Sequence, residues 1–507
     1  MTLPSQNMAK SGGDIPDLQT LQWVDGVFVQ GLGDPRAIVE PATGRVIATV
    51  ADASPDQARA AIAAAKAAQP AWAARAPIER AKLMREVSRL IRRDADDLAE
   101  LVVREQGKPL KEARGEIAGA AEFMDYFSEF ARRLPGEILP SDHAGEQVWI
   151  RRAPVGVVAA IIPWNYPAAL ICRKMAPALV TGNAVVVKPH EMTPLSGLAM
   201  ARLFEEAGLP YGLVNIITGA GDVIGEVLTS ASDVDLVTMT GSVPVGRRIM
   251  ANAAENLTAV SLELGGKAAF IVMSDADLDL AVQSAVTSRF MNCGQTCICN
   301  ERTLVQRPIY DAFVEKFVAA TQALKIGDPL SPDTDIGPKV SEEECAKVEQ
   351  MVQTALSHGA RAVIGGGRLT NPPTEGGFWF DPTVLVDMAS DADIMRTEIF
   401  GPVVPIVPFD SFDDAVAIAN EGSFGLSSYI FTRDFQTIME AIDRIEVGEV
   451  YVNRAGPESV HGFHGGWKDS GVAGDDGVHG LEVYMRKKTV YVNYSGKTTV
   501  NLMPYER

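Results

Sequence analysis

The run VGVVAAII at residues 155–162 is apolar and has the length of a β-strand. A helical segment at residues 168–179 and a second apolar run, AVVVK at residues 184–188, follow it directly. The alternation continues to residue 264 through predicted strands at 213–217, 235–240 and 259–264. Near-continuous apolar strands separated by helices are typical of a parallel sheet with helices on both faces. The stretch therefore predicts an α/β fold of the doubly wound, Rossmann type.

Doubly wound sheets bind ligands outside the carboxyl ends of their strands. In this chain that rule indicates Lys188, the segment Gly219-Ala220-Gly221 and the segment Thr240-Gly241-Ser242. A second alternating unit begins at Asp275 and extends to a Gly-rich segment at residues 462–480, which predicts a loop. Upstream, apolar residues at helical spacing predict one long helix over residues 77–106. A chain of 507 residues is too long for one core, so two or three domains are expected.

The composition narrows the function class. Hydrophobic residues make up 47% of the chain and charged residues 22%, as in an ordinary globular enzyme. The net charge of −19 argues against nucleic acid and against an anionic membrane surface as partners. The chain contains no uninterrupted apolar run of the roughly 20 residues that cross a bilayer. Five cysteines, three of them in one segment, favour a reducing cytoplasm over a disulfide framework.

The crowded segment is FMNCGQTCICN at residues 290–300, with Cys293, Cys297 and Cys299. Three interpretations compete for it. Structural zinc needs four ligands, and the other cysteines lie far away in sequence, so no metal site is predicted. Free cysteines also pack as small hydrophobic residues. The third interpretation is a nucleophilic thiol presented by the Gly294-Gln295 turn, and the segment alone does not decide between this and a buried cluster.

An acidic residue upstream of the segment favours the interpretation as a nucleophilic thiol. Glu263 opens the run ELGGK at residues 263–267, and GQTC follows at 294–297. With this pair of motifs the sequence resembles the aldehyde dehydrogenase superfamily from about Trp23 to about Tyr494. Gly462-Phe463-His464-Gly465-Gly466-Trp467, in place of the PFGG-like motif of most members, is similar to the lactaldehyde/glycolaldehyde dehydrogenase branch.

The resemblance implies a domain plan. Residues 1–142 and 156–264 would form the NAD-binding domain, and residues 265–480 the catalytic domain. Residues 143–155 and 481–507 would form a small β arm, in which a terminal strand at 489–494 pairs with the region of Trp149. In the family this arm reaches a neighbouring subunit, so a homo-oligomer, a dimer or a tetramer, is expected.

The resemblance also implies catalytic roles. Cys297 would attack the aldehyde carbon, since a thiolate is a good nucleophile toward carbonyls. Asn165, with the Cys297 backbone N–H, would stabilise the oxyanion. Glu263 would activate the water that hydrolyses the thioester, and Lys174 matches a family lysine near the centre.

NAD is the expected cofactor. Lys188 would contact the adenosine ribose, and Glu191 would accept hydrogen bonds from the same hydroxyls and repel a 2′-phosphate. Gly241-Ser242, at the start of a helix, suits a pyrophosphate. The further positions matched to the family's cofactor site are Ile161, Pro163, Trp164, Gly221, Gly225, Thr240, Gly265, Glu398 and Phe400.

The substrate expected from the branch is a small 2-hydroxy aldehyde such as lactaldehyde or glycolaldehyde. Arg173, Glu458 and His464 would line the pocket and bind its hydroxyl or the product carboxylate. Ile298, directly after the nucleophile, offers no hydrogen bond, whereas the branch often has a polar residue there. Two alternatives stay open: a semialdehyde dehydrogenase that uses Arg173 for a distal carboxylate, and a dehydrogenase that passes the acyl group to coenzyme A.

Overall fold

The computed structural model describes residues 18–497. The outer ends of two predicted domain segments, residues 1–17 and 498–507, lie outside this range. The helices are α1 (Pro55–Ala74), α2 (Pro77–Arg93), α3 (Ala95–Gln106), α4 (Leu110–Ser128), α5 (Ala169–Thr181), α6 (Leu195–Glu206), α7 (Glu226–Ser230), α8 (Val243–Ala254), α9 (Leu278–Phe290), α10 (Tyr310–Gln322), α11 (Glu342–Ser357), α12 (Asp393–Arg396), α13 (Phe412–Asn420), α14 (Phe435–Arg444) and α15 (Gly477–Glu482).

The strands up to Glu263 are β1 (Gln22–Val24), β2 (Val27–Val29), β3 (Pro35–Glu40), β4 (Arg45–Ala51), β5 (Glu137–Pro140), β6 (Glu146–Pro154), β7 (Val157–Ile161), β8 (Ala184–Lys188), β9 (Val214–Ile216), β10 (Leu236–Thr240) and β11 (Ala259–Glu263). The later strands are β12 (Ala269–Val272), β13 (Arg302–Gln306), β14 (Arg361–Ile364), β15 (Thr383–Val386), β16 (Val403–Phe409), β17 (Phe424–Gly425), β18 (Ser427–Phe431), β19 (Glu449–Val452), β20 (Trp467–Lys468), β21 (Gly471–Val472) and β22 (Met485–Asn493).

The first large sheet has eight strands in the order β2-β1-β9-β8-β7-β10-β11-β21. Strands β7 to β11 run parallel, and their apolar side chains are buried between helices, as the alternation predicts. The chain leaves β7 toward β8 and β9 on one side and returns to β10 and β11 on the other. The strand order therefore reverses between β7 and β10, where Ile161 pairs with Met239. A crevice at such a switch point is where open α/β sheets bind ligands.

The second large sheet has seven strands in the order β14-β15-β16-β13-β12-β18-β19. All neighbouring pairs are parallel except β14 with β15. Helix α9 follows β12 and delivers the cysteine segment to the start of β13. The predicted α/β architecture is confirmed in both sheets.

A three-stranded antiparallel sheet, β22-β6-β5, stands apart from the two large sheets. Val490 pairs with Trp149, so the terminal strand lies beside the segment that the sequence analysis named as its partner. Strand β5 also belongs to this sheet, although the predicted arm begins only at residue 143. The predicted division into domains remains a prediction.

Two local predictions differ from the structure. The single helix predicted over residues 77–106 is α2 and α3, which meet at Asp94 (φ −100°, ψ 21°). Residues 92–97 are polar except for the half-buried Ala95, so only one small apolar side chain packs on the core across that point. The predicted loop at 462–480 contains β20, β21 and the start of α15, because Gly471 lets its backbone approach Leu262. In the described part of the chain no helix is both long and apolar enough to cross a membrane.

Candidate active site

A cavity of about 570 Å³ lies where the two large sheets face each other. It takes in the residues after β7, the ends of β10 and β11, the cysteine segment and the loop before β16. Thirteen of the residues predicted to bind or react line it: Pro163, Trp164, Asn165, Arg173, Thr240, Gly241, Ser242, Glu263, Gly265, Cys297, Glu398, Phe400 and Glu458. The cavity is therefore continuous from the switch point of the first sheet to the cysteine turn.

The cysteine turn has an uncommon backbone. Asn292, Cys293 and Gly294 have φ values of 49°, 56° and 71°, which is the left-handed region. A Cβ on Gly294 would lie 2.2 Å from the carbonyl oxygen of Gly401, so glycine is required there. Gln295 secures the turn from its other side, because its Oε1 accepts a hydrogen bond of 3.0 Å from the Val340 N–H.

Arg289 and Glu301 join the turn to the rest of the site. Arg289 is fully buried and donates to the carbonyls of Gly294 and Asn300 and to Glu301. Glu301 also accepts from the backbone N–H groups of Ile399 and Phe400. Although burial opposes it, Lys267 and Arg289 lower the pKa of Glu301 to about 2. One buried carboxylate therefore fixes the cysteine turn and the Phe400 loop relative to each other.

Cys297 differs from the other four cysteines, which are all buried, because it is partly exposed. Its Sγ, a carboxylate oxygen of Glu263 and a ring nitrogen of His464 lie within 4.8 Å of one another. Burial and the Glu263 carboxylate raise the pKa of the Cys297 thiol above its usual value, and His464 opposes this. The thiol therefore needs a neighbouring base or cation to become a thiolate.

His464 lies between two carboxylates. Its Nε2 is 3.3 Å from Glu263 Oε1 and its Nδ1 is 3.1 Å from Glu449 Oε1, with the ring 1% exposed. Neither approach has hydrogen-bonding geometry, so both nitrogens are buried without a hydrogen-bond partner. Burial and Arg173 lower the pKa of His464, but Glu458, Cys297 and Glu263 outweigh them and raise it well above the usual value. His464 is thus a cation next to the nucleophile at neutral pH.

Asn165 is held beside the cysteine turn from two sides. Its backbone carbonyl accepts from Lys108 Nζ at 2.7 Å and from Asn292 Nδ2 at 3.0 Å. Its own side-chain amide donates to the Gln295 carbonyl at 3.0 Å. An amide nitrogen carries two hydrogens, so one N–H remains for a group in the cavity.

Arg173 is engaged by carboxylates. Its guanidinium makes a two-pronged contact with Asp476, and its Nη1 lies 3.1 Å from Glu458 Oε1. Lys174, the predicted catalytic helper, is fully buried and contacts Asp475 at 2.9 Å and Thr238 at 3.2 Å. Lys174 does not line the cavity.

The residues predicted to bind the adenosine ribose of the cofactor lie at the carboxyl end of β8. Lys188 is buried, and its Nζ is 3.1 Å from Glu191 Oε2. Although burial opposes it, Lys188 and His190 lower the pKa of Glu191 to about 2. Gly221 and Gly225 are the ends of a π-helical turn before α7, and Ile161 ends β7. These five residues, Lys188, Glu191, Gly221, Gly225 and Ile161, lie outside the lining of the cavity.

Other residues predicted to bind the cofactor, among them Glu398 and Phe400, lie near the cysteine turn. Glu398 Oε1 accepts from the Gly266 N–H at 2.8 Å, and the Phe400 ring meets Trp164 edge-on at 5.3 Å. Partial burial raises the pKa of Glu398 to about 7. Thr240 Oγ1 is buried in the lining without a hydrogen-bond partner.

Five residues that support this site were not predicted from the sequence. They are Lys108, Glu116, Glu449, Asp475 and Asp476. The pair Asp475-Asp476 offered a signal, because two acids inside a Gly-rich loop with a left-handed residue, Asp476 (φ 65°), need a cationic partner when buried. Glu449 offered none, since a glutamate at the start of a strand is ordinary in sequence.

The sequence matches those of known aldehyde dehydrogenases over most of its length. The sequence profile of the Aldehyde dehydrogenase family matches residues 28–490. The 3,6-anhydro-alpha-L-galactose dehydrogenase of Streptomyces coelicolor is 47% identical over 458 residues, 90% of this chain and 93% of that protein. The lactaldehyde dehydrogenase of Escherichia coli is 44% identical over 477 residues, 94% of this chain and 99% of that protein.

A solved structure of a 3,6-anhydro-L-galactose dehydrogenase in complex with NADP matches the fold with a TM-score of 0.92 at 44% identity. The match covers 94% of this chain and 100% of that one. The sequence identities and the coverage are far above what proteins with only a shared fold have. They confirm the predicted family and the predicted resemblance of this chain to lactaldehyde dehydrogenase. The chain belongs to the aldehyde dehydrogenase family and is an oxidoreductase that acts on aldehyde groups.

Proposed function

We propose that the protein oxidises a hydroxylated aldehyde to its carboxylic acid with NAD, through a thioester on Cys297. The observation that carries this proposal is the approach of Cys297 Sγ, Glu263 and His464 to within 4.8 Å. Cys297 and Glu263 line one cavity with Asn165, whereas His464, predicted to line it too, lies behind that lining. A thiol, an acid and an amide in that arrangement supply a nucleophile, a base and an oxyanion donor.

In the first step Cys297 Sγ bonds to the aldehyde carbon, and the carbonyl oxygen becomes an oxyanion. The free N–H of the Asn165 amide and the backbone N–H of Cys297 donate to that oxygen. Loss of one such donor costs about 3–4 kcal/mol of barrier in comparable sites. Because burial raises the pKa of the Cys297 thiol, the protonated His464 beside it favours the thiolate form.

The dinucleotide supplies a hydride acceptor when it is bound. The residues present fit such a ligand: the hydroxyl of Thr240 has no hydrogen-bond partner at the switch point, and the N-terminus of α8 opens at Ser242. Lys188 and Glu191 would hold the adenosine ribose, and Glu398 the ribose nearer Cys297. Glu191 supports NAD over NADP, because it is ionised at any working pH and repels a 2′-phosphate.

Hydrolysis of the thioester requires a base. Glu263 ends β11 with its carboxylate next to Cys297, and its Oε1 has no hydrogen-bond partner in the described residues. In this proposal Glu263 takes a proton from water as the oxygen bonds to the thioester carbon, and Cys297 leaves as the thiolate. A coenzyme A acceptor would not need this base, so Glu263 disfavours acyl transfer to coenzyme A.

The charges in the pocket support a neutral, hydroxylated substrate. Arg173 is already paired with Asp476 and Glu458, so it has no charge to offer a distal carboxylate of a semialdehyde. Glu458 lines the cavity and can accept from a substrate hydroxyl. Hydroxylated aldehydes are also what the names of the lactaldehyde and anhydrogalactose relatives indicate for those proteins.

The deciding experiment measures NADH formation by the wild type and by Cys297→Ala with glycolaldehyde, lactaldehyde and succinic semialdehyde. We expect the two hydroxy aldehydes to have at least tenfold higher kcat/KM than the semialdehyde, and Cys297→Ala to be inactive. Cys345→Ala, which removes a buried thiol outside the cavity lining, is the matched control and should behave as wild type. Retained activity of Cys297→Ala, or a preference for succinic semialdehyde, would contradict the proposal.

We further propose that the sheet β22-β6-β5 joins copies of this chain into a homo-oligomer. Ile138 and Tyr491 expose large apolar surfaces on it, and Tyr494 does so directly after β22. Light scattering would report the assembly. The five unpaired cysteines support a reducing compartment such as the cytoplasm.

A further inference from the structure

We propose that Cys297, His464 and Glu263 form a binding site for Zn²⁺, which shuts the enzyme off reversibly by occupying its nucleophile and its base together. Within the described residues this is the one group of three Cys, His or acidic side chains whose ligand atoms lie close enough to share a metal ion. Sulfur, nitrogen and oxygen from these residue types are the usual ligands of zinc.

The spacing of the ligand atoms suits a tetrahedral ion. Zn²⁺ binds nitrogen and oxygen at about 2.0–2.2 Å, so two such ligands lie roughly 3.3–3.6 Å apart around a tetrahedral centre. His464 Nε2 and Glu263 Oε1 are 3.3 Å apart. The Cys297 sulfur, within 4.8 Å of both groups, needs a movement of about 1 Å to complete the third position.

Apart from their ion pair with each other, the ligand atoms of His464 and Glu263 have no hydrogen-bond partner in the described residues. Glu263 Oε1 and His464 Nε2 are both buried and both lack a hydrogen-bond partner. Neither residue is more than 2% exposed, which makes unpartnered polar atoms costly. A metal ion bound between them satisfies both atoms at once.

Glu449 contacts the ring nitrogen of His464 that would not bind the metal. A metal-binding histidine usually donates its other ring N–H to a carboxylate, which fixes the ring and raises its basicity as a ligand. Glu449 Oε1 lies 3.1 Å from Nδ1, on the opposite side of the ring from Glu263. Tyr451 donates to Glu449 at 2.9 Å and holds that carboxylate in turn.

The local charge favours a divalent cation. Five carboxylates lie here in two ion-pair groups, one around His464 and one around Arg173 and Lys174. The carboxylates are those of Glu263, Glu449, Glu458, Asp475 and Asp476. A bound Zn²⁺ replaces the protons of the thiol and of the imidazolium, because metal ligands bind in their deprotonated forms. Cys297 and Glu263 line the cavity, which has room for a water molecule as a fourth ligand.

The experiment uses the full chain, treated with a chelator and titrated with Co²⁺ and then with Zn²⁺. Co²⁺ should give one equivalent of a complex with a thiolate-to-cobalt absorption band, and Zn²⁺ should displace it. His464→Phe and Cys297→Ser should each weaken Zn²⁺ binding at least 100-fold. Glu449→Gln should weaken it about 10–100-fold, as expected for a carboxylate behind a histidine ligand.

Activity gives an independent readout. Zn²⁺ should inhibit competitively with the aldehyde, and a chelator should restore full turnover. Cys345→Ala should keep the wild-type Zn²⁺ affinity, and near-ultraviolet circular dichroism would verify that each variant is folded. If His464→Phe does not fold, Glu449→Gln and Cys297→Ser carry the test.

Equal Zn²⁺ affinity in His464→Phe and wild type, or a Co²⁺ complex without the thiolate band, would overturn the proposal. The binding measurements need no substrate. Their failure would leave the proposed aldehyde oxidation intact, and failure of that function would leave the binding result intact.

Discussion

His464 Nε2 lies 3.3 Å from Glu263 Oε1, which joins the imidazole to the carboxylate at the end of β11. Because nearby carboxylates raise the pKa of His464, the ring carries a positive charge beside the Glu263 carboxyl group at neutral pH. A carboxylate next to such a charge is placed to take a proton from water rather than to donate one to the substrate oxygen. The contact therefore assigns Glu263 to the hydrolytic half of the proposed reaction.

Glu263→Gln should separate the two halves of that reaction. The amide cannot act as a base, so the thioester should form and then persist. We expect a burst of about one NADH per active site in rapid-mixing absorbance, followed by steady turnover about 10²–10⁴-fold slower than wild type. Glu122→Gln, which changes another acid of the cavity lining, should keep the wild-type rate. Normal turnover of Glu263→Gln would remove Glu263 as the base.

Glu191→Gln should improve the use of NADP. The substitution removes a carboxylate that Lys188 keeps ionised and leaves the Lys188 ammonium free for a 2′-phosphate. Relief of about 1–2 kcal/mol of repulsion corresponds to a gain of roughly 5–30-fold in kcat/KM for NADP. Steady-state kinetics with both cofactors measures the ratio, and Glu205→Gln, an exposed acid on α6, is the control. An unchanged ratio would show that another residue discriminates between the cofactors.

The sequence predicted the parts of the site that local pattern determines. The apolar runs from Val157 to Glu263 predicted the first sheet. The short motifs marked Cys297 and Asn165, which line the same cavity, and Lys188, whose role stays a prediction. It did not predict the pairing of Arg173 with Asp476, which are 303 residues apart. Whether an arginine is free or neutralised depends on which distant loop packs against it, and residue spacing along the chain carries no such information.

Binding of NAD should strengthen as the pH rises through about 7. Burial raises the pKa of Glu398 to about 7, so its carboxyl is neutral below that pH and ionised above it. An ionised carboxylate accepts stronger hydrogen bonds from ribose hydroxyls than a neutral acid does. Titration of NAD by fluorescence between about pH 6 and pH 8.5 should show the dissociation constant falling and then levelling off.

Glu398→Gln is the test of that assignment, because it keeps the shape of the side chain and removes its titration. The variant should bind NAD with little dependence on pH over the same range. Glu112→Gln is a matched control, since burial also raises the pKa of Glu112 to about 7. If the pH dependence survives in Glu398→Gln and disappears in Glu112→Gln, the titrating group is Glu112, and the role given to Glu398 is wrong.

Gly119→Leu should select against long substrates. Gly115 and Gly119 lie one turn apart on α4 at the rim of the cavity, and a Cβ at either position would meet no heavy atom within 4 Å. A leucine side chain therefore enters open space and narrows the cavity, while leucine favours the helix more than glycine by about 0.8–1 kcal/mol. We expect kcat/KM for four- to six-carbon hydroxy aldehydes to fall on the order of tenfold while glycolaldehyde changes less than about threefold, since only the longer chains reach α4. Gly119→Ala, the control, should have a smaller effect in the same direction. If Gly119→Leu lowers kcat/KM for glycolaldehyde as much as for the longer aldehydes, α4 does not border the substrate.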